Sequence, residues 1–354
     1  MTKDRKSAKR CSGTRSAAPS RRQFLSGLAA GAAFVGCGDS ASHPADGGGG
    51  ATSGASSGAS SVSGTSNTSN TSNTSNTSSV ASATNSSITN GGVSTGGLPP
   101  MGKAATDQVP LGSTGITISR LAMGSGTHGN DGASDQTRLG LSQFADLLVQ
   151  SYDQGITFWE TADQYGAHAH LASALSQVGR QNIVVLTKSH AQTAAEMEAD
   201  LDRFMQELGT DYIDVMLLHN KQSSTWTTEC AGAMEYLEDA KRRGLIRAHG
   251  VSCHTLSALE LAARTPWVEV DLARINPAGV AMDADPATVI SVLTRMKAAG
   301  KAVIGMKILG EGRLANQLDM AIEHAVRLDQ LDGFTIGFTS RAQLDEITTK
   351  IAGV

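Results

Sequence analysis

Cysteine is scarce: there are four in 354 residues. Cys11 and Cys37 lie in the N-terminal segment, which leaves Cys230 and Cys253 for the rest of the chain. Two thiols exclude a disulfide framework and leave room for a single bridge. Long apolar runs are missing too. The stretch from Leu25 to Gly36 is too short to span a bilayer as a mature helix. No Gly-x-Gly-x-x-Gly follows the first strand-like run, and Gly124-Ser125-Gly126 is too brief to replace it, which argues against a Rossmann site. Excess positive charge is also lacking. The net charge is −4, and the eight basic residues and one acidic residue before Cys37 hide a stronger imbalance. Without them, 21 basic residues face 32 acidic ones. A domain that acidic is a poor binder of phosphate backbones, so nucleic acid is not an expected partner.

Composition divides the chain into three parts. Residues 1–37 are basic and then apolar. Ser20-Arg21-Arg22-Gln23-Phe24-Leu25 resembles a twin-arginine export signal, and Phe34-Val35-Gly36-Cys37 resembles a lipoprotein cleavage box with Cys37 as the lipidated residue. Residues 38–106 are almost entirely Ser, Thr, Asn, Gly and Ala, with a Ser-Asn-Thr repeat from about Thr65. Such a segment has too few apolar groups to offset ordering entropy and is expected to be a disordered tether. A flexible coil of that length reaches on the order of 45 Å. Residues 107–354 read as globular. The expected location is the periplasm or cell envelope, with membrane contact through a lipid on Cys37.

Within 107–354, apolar strand-like runs alternate with helical patterns. Strands are expected near Ile118–Met123, Ile156–Glu160, Ile183–Lys188, Ile213–Leu218, Ile246–Ser252, Val268–Ile275, Ala302–Lys307 and Gly333–Ile336. Helices are expected near Ser142–Asp153, His168–Val178, Thr193–Leu208, Cys230–Arg243, Leu256–Arg264, Pro286–Ala299, Leu314–Arg327 and Ser340–Ile351. Gly155, Gly244 and Gly300 stand just before strands, as helix stops do. Eight β/α pairs in about 245 residues specify an α/β fold of one kind, a closed parallel (β/α)8 TIM barrel, rather than an open doubly wound sheet.

In such a barrel the strand C-termini converge on one face, where catalytic groups sit. Three successive runs end in ionisable residues. Glu160 closes the second strand with Tyr165 just beyond it, Lys188 ends the third, and His219 ends the fourth. Adjacent strands lie ~4.8 Å apart, so these side chains can touch. A cation beside a phenol favours the phenolate and is expected to lower the Tyr165 pKa, which makes it a proton donor. Taken singly, a strand-end Lys is usually a salt bridge and a strand-end His a polar cap. Their succession on three strands is what points to catalysis.

A metal-dependent hydrolase is the competing chemistry. His128, His168, His170, His190, His219 and His254 all fall in loops or strand ends on the expected active face. However, His168-Ala169-His170 starts a helix and does not supply the strand-borne pair a zinc barrel would use, so no metal is expected.

The motifs also carry a family resemblance. Glu160-Thr161-Ala162-Asp163-Gln164-Tyr165, Lys188, Asp211-Tyr212-Ile213-Asp214 through His219, and Gly250-Val251-Ser252 together resemble the aldo/keto reductases over nearly all of 108–354. The resemblance implies a barrel that binds NADPH without a Rossmann domain and reduces a small carbonyl substrate. Tyr165 would protonate the carbonyl oxygen, Lys188 would tune Tyr165, Glu160 would pair with Lys188, and His219 would orient the carbonyl. Ser252 would hold the nicotinamide carboxamide, and Gly126, Thr127 and Met306 would line the nicotinamide end. Leu309, Gly310 and Gly312 would approach the pyrophosphate. Gly337, Thr339, Arg341, Gln343 and Glu346 would grip the adenosine end, with Arg341 as the cation for a 2′-phosphate.

Some positions depart from the family pattern. Glu160 stands where aspartate is usual, one methylene longer, with Asp163 near enough to share its role. Met306 replaces a stacking aromatic, Cys253 follows Ser252 where Asn is common, and Ile347 follows Glu346 where Asn is usual. NADPH is a cytoplasmic cofactor, while the twin-arginine route exports folded proteins and lets a cofactor travel bound. The thinner cofactor contacts leave a second reading, a non-catalytic envelope-tethered barrel that binds a ligand or partner.

Overall fold

The computed structural model describes residues 102–354. The export signal, Cys37 and nearly all of the tether therefore lie outside the described residues. The matter of a bridge is settled: Cys230 and Cys253 are both buried, free thiols.

Ten strands form. β1 (Gln108–Pro110) and β2 (Thr117–Ser119) make an antiparallel hairpin, with Val109 opposite Ile118. β3 (Leu121–Gly124), β4 (Phe158–Glu160), β5 (Val184–Ser189), β6 (Ile213–Lys221), β7 (Ile246–Cys253), β8 (Val270–Arg274), β9 (Ala302–Met306) and β10 (Gly333–Gly337) follow. These eight close into a barrel in chain order, with β10 pairing both β9 and β3 and every neighbour parallel. The expected first strand, Ile118–Met123, is in fact two elements broken at Arg120. Its first half belongs to the hairpin, whose Leu111, Ile116 and Ile118 close one end of the barrel interior. Ser119 and Arg120 mark the break within Ile-Ser-Arg-Leu-Ala-Met, between two short apolar stretches that together resemble one strand.

The helices are α1 (Leu141–Asp153), α2 (His168–Val178), α3 (Ala194–Leu208), α4 (Trp226–Glu229), α5 (Ala231–Arg242), α6 (Leu256–Arg264), α7 (Pro286–Ala298), α8 (Leu318–Arg327) and α9 (Arg341–Ala352). Local chemistry sets their starts. Thr193 and Glu196 form a reciprocal capping box on α3, and Asp285 caps α7 ahead of Pro286. The segment expected to begin a helix at Leu314 forms a 3-10 turn at Ala315–Gln317 before α8. Among the described residues, no helix is long and apolar enough to cross a membrane.

Side-chain alternation along each strand separates two apolar layers. Ala122, Phe158, Leu186, Val215, Leu217, Ala248, Leu272 and Ile304 fill the interior. Met123, Trp159, Val185, Met216, Val251, Ala273 and Val303 face the helices. The same two-residue period places Gly124, Glu160, Lys188, His219, Ser252, Met306 and Gly337 on the inward side at the C-terminal strand ends.

Candidate active site

A cleft of about 650 Å³ opens at that end. Gly126, Thr127, Glu160, Tyr165, His219 and Met306 line its inner part. Leu309, Gly312, Gly337, Gln343 and Glu346 line its outer part. Four residues expected at the cofactor, Ser252, Gly310, Thr339 and Arg341, are not among those that line the cleft. Gly310 is buried against Val280 and Leu314, turned away from the cleft because the 307–312 loop closes on its own carbonyls. Ser252 is buried, with its hydroxyl accepting the Asn220 N–H at 2.9 Å. Thr339 donates to the Gln343 side chain through both its N–H and its hydroxyl. Arg341 is half-exposed outside the cleft wall and pairs with Asp345 at 2.7 Å.

Tyr165 is delivered by a short 3-10 turn, Asp163–Tyr165, closed by Gly166 in the left-handed region. Its ring lies flat against the main chain of Gly126 and Gly129, where a Cβ at either position would overlap it. Lys188 is fully buried, and its ammonium lies 4.9 Å from the centre of the Tyr165 ring. That ammonium donates to Glu160 and to the Thr161 carbonyl at 2.7 Å. His219 meets the Tyr165 ring edge-on, with centroids 5.8 Å apart at 86°.

A backbone irregularity aims His219. The β6–β7 register shifts between Leu218 and Lys221, and Asn220 adopts φ 53°. A left-handed, non-glycine residue costs roughly 1–2 kcal/mol and persists where its surroundings hold it. Here the Ser252 hydroxyl holds it by accepting the Asn220 N–H.

The electrostatics reverse one expectation. Burial, reinforced by the Glu160 charge, pushes the Tyr165 phenol well above its ordinary value, opposite to the expected direction. Lys188 itself is held below the usual lysine range by burial, against the pull of Glu160. Burial, then the charges of Lys188 and neighbouring histidines, keeps the His219 imidazole far below its ordinary value, so it is neutral. The apolar walls that shape the cleft thus set the protonation states.

Asp163 does not share the Lys188 partner role. Arg203 of α3 takes both of its oxygens at 2.7 and 2.9 Å and also binds Asp200 and Glu207. Glu207 reaches His168, whose other ring nitrogen meets Thr187, the neighbour of Lys188. Sequence reasoning missed this brace because Arg203 sits within a helix and belongs to none of the motifs. Among the described residues, Asp163, His168 and Glu207 are the one group of potential ligands close enough to share an ion, and Arg203 already engages both carboxylates. His168 and His170 pack on Phe204 and Phe144 rather than on the cleft, while His128, His219 and His254 line it. His190 stands beside His219, with ring centroids 4.7 Å apart.

The structure is a closed parallel barrel with Lys188 and His219 on neighbouring strands and Tyr165 in the turn just after the strand before them. The model of the aldo/keto reductase family matches residues 120–351, and the chain belongs to that family. An NADH-specific methylglyoxal reductase of Escherichia coli (strain K12) is 26% identical over 168 residues, covering 41% of this chain and 51% of that protein. The aldo-keto reductase YhdN of Bacillus subtilis (strain 168) is 29% identical over 168 residues, covering 42% and 48%. The chain thus spans about half the length of the curated relatives it matches. Among solved structures, the holo form of aldo-keto reductase AKR11C1 from Bacillus halodurans superposes with a TM-score of 0.57 at 16% identity, covering 70% of this chain and 91% of that one. That likeness is one of fold.

Proposed function

We propose that the domain reduces an aldehyde or ketone with NADPH, using Tyr165 as the proton donor. The carrying observation is the Tyr165 ring on the cleft wall, with the buried Lys188 ammonium 4.9 Å from its centre and the His219 ring edge-on to it. Glycine leaves the cleft open at Gly312, whose side-chain face has no neighbour, whereas a Cβ at Gly337 would collide with Thr127 and Gln136, so glycine there lets the wall pack closely.

NADPH, when bound, supplies the hydride. Tyr165 holds the proton that the carbonyl oxygen needs as it gains negative charge, a task for which a loaded general acid is suited. Lys188 provides positive charge behind the phenol as that proton leaves. His219, being neutral, orients the carbonyl by hydrogen bonding without adding a competing cation. Glu160 holds Lys188 in place. Arg341, on a surface pair that is weak and exchangeable, is the cation that would meet a 2′-phosphate. The chain is further proposed to act in the cell envelope, exported by its twin-arginine segment and anchored through Cys37.

Calorimetric titration with NADPH and NADH, followed by cofactor oxidation in the presence of small aldehydes and ketones, tests the reading. Saturable NADPH binding with carbonyl-dependent oxidation is expected. Absence of binding by either dinucleotide at millimolar concentration would overturn it.

A further inference from the structure

Glu160 uses both of its carboxylate oxygens. One takes the Lys188 ammonium. The other accepts from the Thr335 hydroxyl at 3.2 Å, across 175 residues of sequence. The two residues are not on neighbouring strands. Glu160 is on β4 and Thr335 on β10, with β3 between them. The bond can pass over β3 because its residue at that level is Gly124, which pairs with Glu160 on one side and Gly337 on the other. A Cβ at Gly124 would lie 2.6 Å from the Thr335 hydroxyl oxygen. Both partners are more than nine-tenths buried, Glu160 being 5% exposed and Thr335 8%. A carboxylate oxygen in that setting is costly to leave unpaired.

Glutamate has one more rotatable bond than aspartate, so its carboxylate has more places to go. Glu160 and Tyr165 line the same cleft. A carboxylate freed on one side would turn toward the nearest donor, and the phenol of Tyr165 is one. That contact would withdraw the proton needed for the substrate.

We propose that Thr335 is a positioning residue of the proton-transfer site: its hydroxyl pins Glu160 between β5 and β10, on Lys188 and off Tyr165. This rests on the reductase reading above. Gly124 is the matching clearance, and the longer acid at position 160 is the reason a donor is needed on the far side of the barrel.

The test compares Thr335→Val, which keeps shape and loses the donor, with Thr335→Ser, which keeps the donor. In the valine variant kcat for carbonyl reduction falls about tenfold or more, the worth of one hydrogen bond to a charged group. KM and calorimetric NADPH affinity stay at wild-type values, and the serine variant restores kcat. Thr335→Ala serves the same comparison if the valine variant does not fold. A crystal structure of the variant without substrate shows the Glu160 carboxylate rotated off its wild-type position. Equal kcat in the valine and serine variants, a loss confined to KM, or an unmoved Glu160 carboxylate would each overturn the proposal. A wild type that oxidises neither dinucleotide refutes the reductase reading, and the crystallographic comparison still decides the role of Thr335.

Discussion

The Lys188 ammonium lies over the face of the Tyr165 ring, 4.9 Å from its centre, and spends two of its three N–H bonds on Glu160 and the Thr161 carbonyl. The cation therefore supports the phenol from behind, while burial and Glu160 keep the phenol protonated.

The pH dependence follows with a definite sign. An imidazole whose pKa is depressed stays neutral above its ordinary value of 6.5, and a phenol whose pKa is raised stays protonated up to its ordinary value of 10.0. The kcat/KM profile for carbonyl reduction should show no limb from either group between about pH 7 and about pH 9, and a limb in that window would belong to Lys188, whose pKa burial lowers. An inflection inside that window that disappears in His219→Gln or Tyr165→Phe would contradict these assignments.

Tyr165→Phe removes the proton donor and little else, because the ring contacts with Gly126, Gly129 and His219 persist. The expected loss is about 10²–10⁴-fold in kcat, with NADPH affinity unchanged by calorimetry. Wild-type turnover in this variant would remove Tyr165 from the mechanism.

Arg203 braces the Tyr165 turn through its fork on Asp163. Lysine cannot reproduce two parallel N–H bonds. Arg203→Lys should lower kcat by about tenfold through misplacement of Tyr165. The effect on stability should be below about 1 kcal/mol, because the pair is well exposed to solvent. A stability loss without a kcat loss would make Arg203 a purely structural residue.

Asp271 is fully buried on β8, and neither of its oxygens has an N–H or O–H partner among the described residues. Burial, then the nearby Asp283 charge, raises its carboxyl well above the usual range, against the weaker effects of the Cys253 thiol and Lys301. The folded state therefore holds a proton that the unfolded chain releases near pH ~3.9. Stability from this group is complete below that value and falls as the pH rises toward the folded-state value. Asp271→Asn removes the dependence. In urea titrations the stability difference should move in favour of the variant between about pH 5 and 8. A difference that is constant with pH would show that Asp271 is charged in the fold.

Localisation is tested on residues outside the described part. Cys37→Ala should shift the protein from the membrane to the soluble fraction after export, and Arg21→Lys with Arg22→Lys should retain it in the cytoplasm. Unchanged fractionation in both variants would remove the anchor and the signal from the account.

The barrel was legible in the sequence because strand order, alternation and helix stops are local signals. Strand adjacency followed from chain order, which is why Glu160, Lys188 and His219 were expected to meet at one end of the barrel. Between Ile118 and Met123, local pattern could not show that Arg120 divides a hairpin from the barrel. Nor could sequence alone show that Ser252 steadies Asn220, that Gly310 packs inward, or that Arg203 owns Asp163, since each depends on which surfaces meet after closure. The direction of the Tyr165 shift belongs with these. A neighbouring lysine is visible in a motif, but the desolvation that outweighs it arises only when the cleft walls assemble. The partnership of Glu160 with Thr335 exists because closure brings β10 against β3 and a glycine leaves the way open between them.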